Sequence, residues 1–295
     1  MDLLRGNIKT LYFKYLSAAF GSALISSIYG IVDMAMVGQY QGPDGTAALA
    51  VVAPVWNVIY SIGLLMGIGG SVIFSTKRGS GMSGDGEDEQ YFTAAVIGSV
   101  ILTVLFNRQI MQYLGSDALA IYGPIINVST FVQCCAYSVG QASQPIISTN
   151  FGAGKEARSR ETLRYALWTV VFFGVFWTAS SVACPNLYIR IFMSPTETIL
   201  AMAPAIIRAY AISFLLLPFN IFSTYYFQAI LQPKAAFIVS VARGLVISGA
   251  LILLLPLLAG ADSLWFAMPI TELVTAVYAA ACIRRYTARL DAKAT

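Results

Sequence analysis

Apolar residues run along this chain in blocks long enough to cross a bilayer, and short polar stretches separate the blocks. A spanning helix needs about 20 mainly apolar residues. Eight segments meet that requirement: 11–39, 47–76, 91–113, 118–150, 163–186, 199–231, 235–258 and 263–284. Several exceed the minimum, which predicts tilted or kinked helices. Pro54, Pro124, Pro145, Pro218 and Pro269 fall inside the spans. Each removes a backbone donor and favours a bend. A bend releases a carbonyl, which is tolerated at membrane depth only beside protein or a water-filled cavity. The expected fold class is all-α, a polytopic transmembrane helical bundle of about eight spans.

Composition narrows the class further. Hydrophobic residues make up 58% of the 295 residues and charged residues only 11%, against roughly 25% charge in an ordinary soluble domain. A soluble globule, a disordered chain and a disulfide-rich secreted fold are excluded, and the unbroken apolar runs exclude the alternating strands of a barrel. Histidine is absent, so His-based triads, His metal sites and imidazole proton relays are out. Cys134, Cys135, Cys184 and Cys282 show no C-x-x-C spacing and read as small packing residues. A net charge of +4 is too small to suggest nucleic acid as a partner. The first ten residues are polar, and the apolar run after them is too long and lacks a cleavage site for a signal peptide.

The Lys/Arg bias of the loops sets the expected orientation. Arg5, Lys9 and Lys14 precede or open the first span, Lys77 and Arg78 follow the second, and Lys155, Arg158, Arg160 and Arg164 follow the fourth. Lys234 follows the sixth, and Arg284, Arg285, Arg289 and Lys293 follow the eighth. The alternate loops, 40–46, 114–117, 187–198 and 259–262, hold one basic residue, Arg190. A multi-pass protein of the plasma membrane with both termini in the cytoplasm is expected.

The chain also partly matches itself. GTAALAVVAPVWN at 45–57 and GSDALAIYGPIIN at 115–127 align at an offset of 70, with Gly45/Gly115, Pro54/Pro124 and Asn57/Asn127 in register. Gly79-Ser80-Gly81 and Gly152-Ala153-Gly154 close the two copies. The pattern of Gly, Pro and Asn in one register argues for a repeat rather than chance between apolar helices. The second and fourth spans run in the same direction, so the repeat is parallel. Many secondary transporters are built from such repeats, with the site between the halves near the bilayer midplane.

GIVDMAMVGQYQGPDGTAALA (30–50) resembles the end of the first helix and start of the second in the multidrug and toxic compound extrusion (MATE) family. ALAIYGPIINVSTFVQCCAYSVGQASQPIISTNFGAGK (118–155) resembles the family's eighth helix, and SLWFAMPITEL (263–273) the start of its twelfth. The similarity covers nearly the whole chain and is greatest to the bacterial multidrug branch. The family has twelve helices in two six-helix lobes. Here residues 1–105 resemble helices one, two and the beginning of three, a partial N-terminal lobe. Residues 106–295 resemble the end of helix seven onwards, the C-terminal lobe. The equivalent of helices four to six is missing, so the third span resembles a splice and the chain a remnant of a two-lobe, parallel-repeat transporter. Either it is a deleted form of a transporter, or it associates with itself to complete a cavity.

Asp33 is the only acid inside the first span. An ionised carboxylate in hydrocarbon costs at least ~2.5 kcal/mol on insertion scales. Such a group faces water, pairs with a base, or takes up a proton, and the last option turns proton binding into a charge switch. The resemblance implies the same role: Asp33 matches the family's first-helix aspartate, linked to cation coupling. A carboxylate held for structure is the other reading. Tyr29 lies one helical turn earlier on the same face. Asn57 and Asn127 follow the repeat's prolines, where an amide accepts backbone donors freed by the kink or faces the cavity. Gln141, Gln144, Asn220, Tyr225 and Gln228 are further cavity candidates, each equally suited to joining helices.

Arg243 and Glu272 each lie nine residues inside their spans, from opposite membrane faces. That places both ~13–14 Å deep in a ~30 Å core, and a structural ion pair is expected; the alternative makes Glu272 a second coupling acid. The acidic run at 85–89 lacks calcium-loop spacing. Gly152-x-Gly154 has no preceding strand and there is no Walker motif, so no nucleotide site and no enzyme is expected. No cofactor is expected either, and energy is expected from an H⁺ or Na⁺ gradient. Aromatic residues, 13% of the chain, suit flat organic cations through cation–π attraction. The expected function is an antiporter that exports organic cations or drugs, with membrane lipid as its surroundings. The alternatives are a transport-inactive remnant and a lipid-linked oligosaccharide flippase; the last would need clustered cations, and the spans offer mainly Arg108, Arg208 and Arg243.

Overall fold

The structure is a computed structural model that describes residues 3–64, 108, 112 and 115–294. The third predicted span, apart from Arg108 and Gln112, lies outside the described residues, as do the acidic run at 85–89, the closing glycines Gly79 and Gly81 and the junction between the two expected lobes. The described helices are α1 (Ile8–Leu64), α2 (Gly115–Gly152), α3 (Glu156–Ala183), α4 (Pro185–Phe192), α5 (Glu197–Ala211), α6 (Leu217–Ala229), α7 (Pro233–Val241), α8 (Ile247–Ala259) and α9 (Ala267–Ala294). Among the described residues there is no strand. Among the described residues, five stretches, 116–152, 156–183, 197–229, 233–259 and 261–288, are long and apolar enough to cross a membrane.

A straight helix of α1's 57 residues would measure ~85 Å, nearly three times the hydrocarbon thickness of ~30 Å. The chain breaks it at Gly42, with φ 64° and ψ −149°. Pro43 disfavours α geometry in the residue before it, and only glycine enters positive φ freely. The first arm is the first predicted span, and the second arm is residues 47–64 of the second predicted span, whose remainder, 65–76, lies outside the described residues. The loop expected at 40–46 shrinks to this one residue.

The first arm runs antiparallel to α2. Leu3 meets Asn150 near the end of α2, and Met34 meets Gly123 near its start. Close approach is built in at Gly38, where a Cβ would fall on the carbonyl oxygen of Phe192 in α4.

The prolines divide into two groups. Pro124 and Pro145 lie inside α2, and Pro54 lies in the helical backbone of α1. Pro218 and Pro269 do not bend a continuous helix as expected. Each stands in the first turn of a helix that follows a 3₁₀ segment, Ile212–Leu215 before α6 and Ala261–Phe266 before α9. The first-turn N–H groups have no partner within a helix, so proline costs nothing there. Other boundaries shift too. α3 begins at Glu156 rather than 163, the loop expected at 187–198 holds most of α4, and α9 runs ten residues beyond 284. Each difference lies at a span end, where helix continues past the hydrocarbon that the apolar pattern measures.

Buried apolar residues form two clusters. One joins the first half of α2 (Ala118–Ala136) to α5, the start of α6 and Leu264–Ala267. The other joins Val139–Ile147 to α3, α7 and Ala279–Ile283. Along α9 the buried Thr271, Glu272 and Thr275 separate the two, so a polar belt crosses the middle of the bundle.

α2 and α6 end in the same motif. After α2, the Gly154 N–H bonds to Phe151 O and the Lys155 N–H to Asn150 O. After α6, the Leu231 N–H bonds to Gln228 O and the Gln232 N–H to Phe227 O. This is the Schellman pattern, which places its pivot residue at positive φ and favours glycine there. Gly154 has φ 69°, but Leu231 adopts φ 56°. We expect Leu231→Gly to raise the stability of the purified protein by about 1 kcal/mol, read as a higher Tm.

Candidate functional site

The polar belt is centred on Glu272, which is fully buried. Arg243 Nε donates to Glu272 Oε1 at 2.7 Å. Asn220 Nδ2 donates to Glu272 Oε2 at 2.6 Å and to the Glu272 carbonyl at 2.8 Å. Both carboxylate oxygens are therefore engaged, as a charge inside a membrane protein requires.

The backbone around Arg243 is unusual. Ala242–Val246 is a π-helical turn inserted between α7 and α8. Its wider winding changes the direction in which residues leave the helix, and such turns recur at functional positions. Ser248 Oγ donates to the Arg243 carbonyl at 2.8 Å and satisfies an acceptor that the irregular winding weakens. Tyr210 packs edge-on against the Tyr122 ring, lies near Ser129 and is within electrostatic range of both Arg243 and Glu272. Tyr137 on α2 lies within range of the same two charges.

A second polar feature runs along α2. Asn127, Thr130, Cys134, Tyr137, Gln141, Gln144 and Ser148 recur at alternating spacings of three and four, and all seven are partly or fully exposed. Between Cys134 and Ser148 every other residue of α2 except Pro145 is buried. That spacing puts the seven on one helix face. A face with so much amide and hydroxyl in the middle of a spanning helix does not suit acyl chains; it suits water or another polar protein surface.

The expected cavity residues separate on this geometry. Gln141 is exposed on the α2 stripe, and Gln144 Nε2 donates to Gln228 Oε1 of α6 at 3.3 Å. Asn127 Nδ2 donates to Gly123 O at 3.2 Å. Its amide therefore gives a hydrogen bond to the backbone of its own helix one turn earlier and does not accept one. Asn220 and Tyr225 lie in the interior. Asn220 braces Glu272, and Tyr225 packs against Gly140, where a Cβ would stand 2.5 Å from its ring. The backbones of Tyr29, Asp33 and Asn57 belong to α1, and their side chains lie outside what the structure describes. Arg208 is exposed and its Nε donates to Val182 O at 3.2 Å, and Arg108 is exposed.

The sequence reading passed over one cluster, at the basic end of the bundle. Arg158 Nη2 donates to the carbonyls of Leu3 at 3.1 Å and Gly6 at 2.6 Å. Lys155 Nζ donates to Leu4 O at 3.0 Å, and Asn150 Nδ2 to Leu3 O at 3.1 Å. Residues 3–6 are thereby strapped to the turn between α2 and α3. At the other end of the first arm, Gln39 Nε2 donates to Arg190 O at 2.8 Å and Ser194 Oγ to Gln39 Oε1 at 3.0 Å. The basic residues were visible as a loop bias; their carbonyl partners, distant in sequence, were not. Tyr122, Tyr210 and Ser129 were also passed over, since nothing in their spacing separates them from ordinary core residues.

The MatE family model matches residues 18–107 and 92–254. Among solved structures, an outward-facing multidrug resistance MATE family transporter of the MOP superfamily aligns with 69% of this chain and 46% of its own, at 14% identity and TM-score 0.63. A MOP superfamily transporter from Pyrococcus furiosus Vc1 (DSM3638) aligns with 69% of this chain and 46% of its own, at 14% identity and TM-score 0.62. A MATE in complex with MaD3S aligns with 96% of this chain and 93% of its own, at 13% identity and TM-score 0.59. The chain spans about half the length of the first two. No curated protein matches it. The family matches cover the whole α2 stripe together with Asn220 and Arg243 and end before Glu272, and the solved transporters share the helical fold: the chain belongs to the MatE family of multi-pass membrane transporters.

Proposed function

We propose that the chain is a secondary active antiporter that exports organic cations or drugs in exchange for H⁺ or Na⁺. The observation that carries this reading is the α2 stripe, an unbroken polar face on a helix that otherwise buries apolar surface on its neighbours. A water-lined path accounts for it, and membership of a transporter family agrees. Asp33 is the coupling acid, and Gln141, Gln144 and Gln228 are the polar groups placed to meet a substrate. The Arg243–Glu272 pair is structural and sets the spacing of π turn and α9. Both termini lie on the cytoplasmic side of the plasma membrane, where the basic strap of Lys155 and Arg158 also sits. Residues 1–105 are a partial N-terminal lobe and 106–295 the C-terminal lobe, and a second copy of the chain completes the cavity.

Half-length coverage of the first solved relatives favours a second reading, a remnant that inserts and moves nothing. Reconstitution separates the two. In proteoliposomes with an imposed pH or Na⁺ gradient, the antiporter concentrates ethidium above the level of protein-free vesicles, and the concentration collapses with the gradient. Ethidium movement equal to that of protein-free vesicles, with the chain shown to be inserted, establishes the remnant.

A further inference from the structure

We propose that the α2 stripe is an isologous interface, on which two copies of this chain meet about a two-fold axis along the membrane normal and enclose the path between them. The inference rests on the proposed completion of the cavity by a second copy, and adds the face, the symmetry and the residues that each copy contributes.

The stripe runs from Asn127 to Ser148, which is ~32 Å of helix axis. That matches the ~30 Å hydrocarbon core, so the stripe crosses the whole membrane. Acyl chains cannot wall a water path along one helix face, because amides and hydroxyls turned to lipid lose their hydrogen bonds. The wall has to be protein. The other sides of α2 are already taken. The first arm of α1 brings Met34 to Gly123, α6 sets Tyr225 against Gly140, and α3 packs Trp177 edge-on to Phe131 at 5.0 Å. The stripe is the side that these helices leave open, and Thr130, Gln141 and Ser148 are its most exposed members.

Symmetry and charge select a second copy as the occupant. The basic loop bias gives every copy the same orientation in the bilayer. A two-fold axis along the normal then carries each stripe residue to its own counterpart at the same depth. Such a patch must be complementary to itself. A charged residue beside the axis would repel its image, and the stripe holds only Asn, Thr, Cys, Tyr, Gln and Ser. Its amides and hydroxyls both donate and accept hydrogen bonds, so each can bond to its like. The chain aligns with 46% of the outward-facing MATE transporter, which leaves about half of that fold for a second copy to supply.

Cross-linking in native membranes tests the register. In the full chain with Cys134, Cys135, Cys184 and Cys282 replaced by alanine, Thr130→Cys and Ser148→Cys are each expected to give a dimer with bismaleimidoethane. Phe172→Cys and Leu254→Cys, at exposed positions of α3 and α8, are expected to stay monomeric. Equal cross-linking at all four positions, or none at the stripe, overturns the proposal. A stripe product of another mass also overturns it and assigns the face to a different protein. A second measurement keeps the native cysteines. Gln141→Arg and Gln141→Glu each set a charge against its own image, and the dissociation constant of the dimer in dodecyl maltoside, read by energy transfer between labelled copies, is expected to rise about tenfold or more. Mixing the two variants is expected to restore an affinity near that of the parent, which a folding defect would not do. No rise in either variant, or a mixed pair no tighter than each alone, overturns the proposal. Both readouts are association. A dimer that moves no ethidium loses the antiport reading and keeps the interface, and a monomer that moves ethidium does the reverse.

Discussion

Glu272→Leu is expected to cost about 3–5 kcal/mol of stability, because it leaves the Arg243 charge in the polar belt without its counter-ion. The variant also removes the acceptor that Asn220 Nδ2 holds at 2.6 Å. The Asn220 Oδ1 atom is buried without a hydrogen-bond partner among the described residues, so losing the Glu272 carboxylate leaves this amide with one fewer of its few partners. The measurement is the Tm of the detergent-purified protein, together with its yield from membranes. Arg243→Met/Glu272→Leu removes the pair as a unit, and most of the loss should be recovered, since an apolar replacement of a buried ion pair is commonly neutral or stabilising. If the single and double variants melt alike, the two residues are not energetically coupled, and the structural assignment of the pair fails.

Asp33→Asn is expected to abolish drug resistance in a sensitive host while leaving the amount of chain in the membrane unchanged. The substitution keeps size and hydrogen-bonding capacity and removes only the ability to carry charge. An acid that serves coupling loses function by it, and an acid that serves folding loses abundance. The contrast with Glu272 makes the pair of experiments informative. Glu272 has every oxygen engaged within the bundle, and substitutions there should lower abundance first. Resistance equal in Asp33→Asn and parent would remove Asp33 from the mechanism. Resistance and abundance falling together would place it with Glu272 as a structural charge.

Most of the membrane-spanning pattern was legible because hydrocarbon imposes a simple requirement, a minimum run of apolar residues with every backbone group bonded internally. The Gly42–Pro43 break is a local matter and was visible for the same reason, although its tightness was not. The Arg243–Glu272 proximity followed from counting depth along two helices, since a level match in a thin slab leaves few partners. The internal structure of the long spans was less accessible. The 3₁₀ segment at Ile212–Leu215 and the π turn at Ala242–Val246 alter the winding of apolar runs whose composition continues without interruption, so hydropathy carries no mark of them.

The amino-acid sequence by itself determined that this protein is a bundle of spanning helices, where its main breaks fall, which loops are basic and which few charges enter the membrane, because each follows from the solubility of short segments in two media. Only the tertiary structure decided which polar residues are spent inside the bundle and which remain on a free face. Asn220 and Gln141 are alike in sequence terms, yet one braces Glu272 and the other stays exposed on α2. The difference lies in which neighbouring helix arrives at each position and at what rotation, and that is set by packing among segments far apart in the chain.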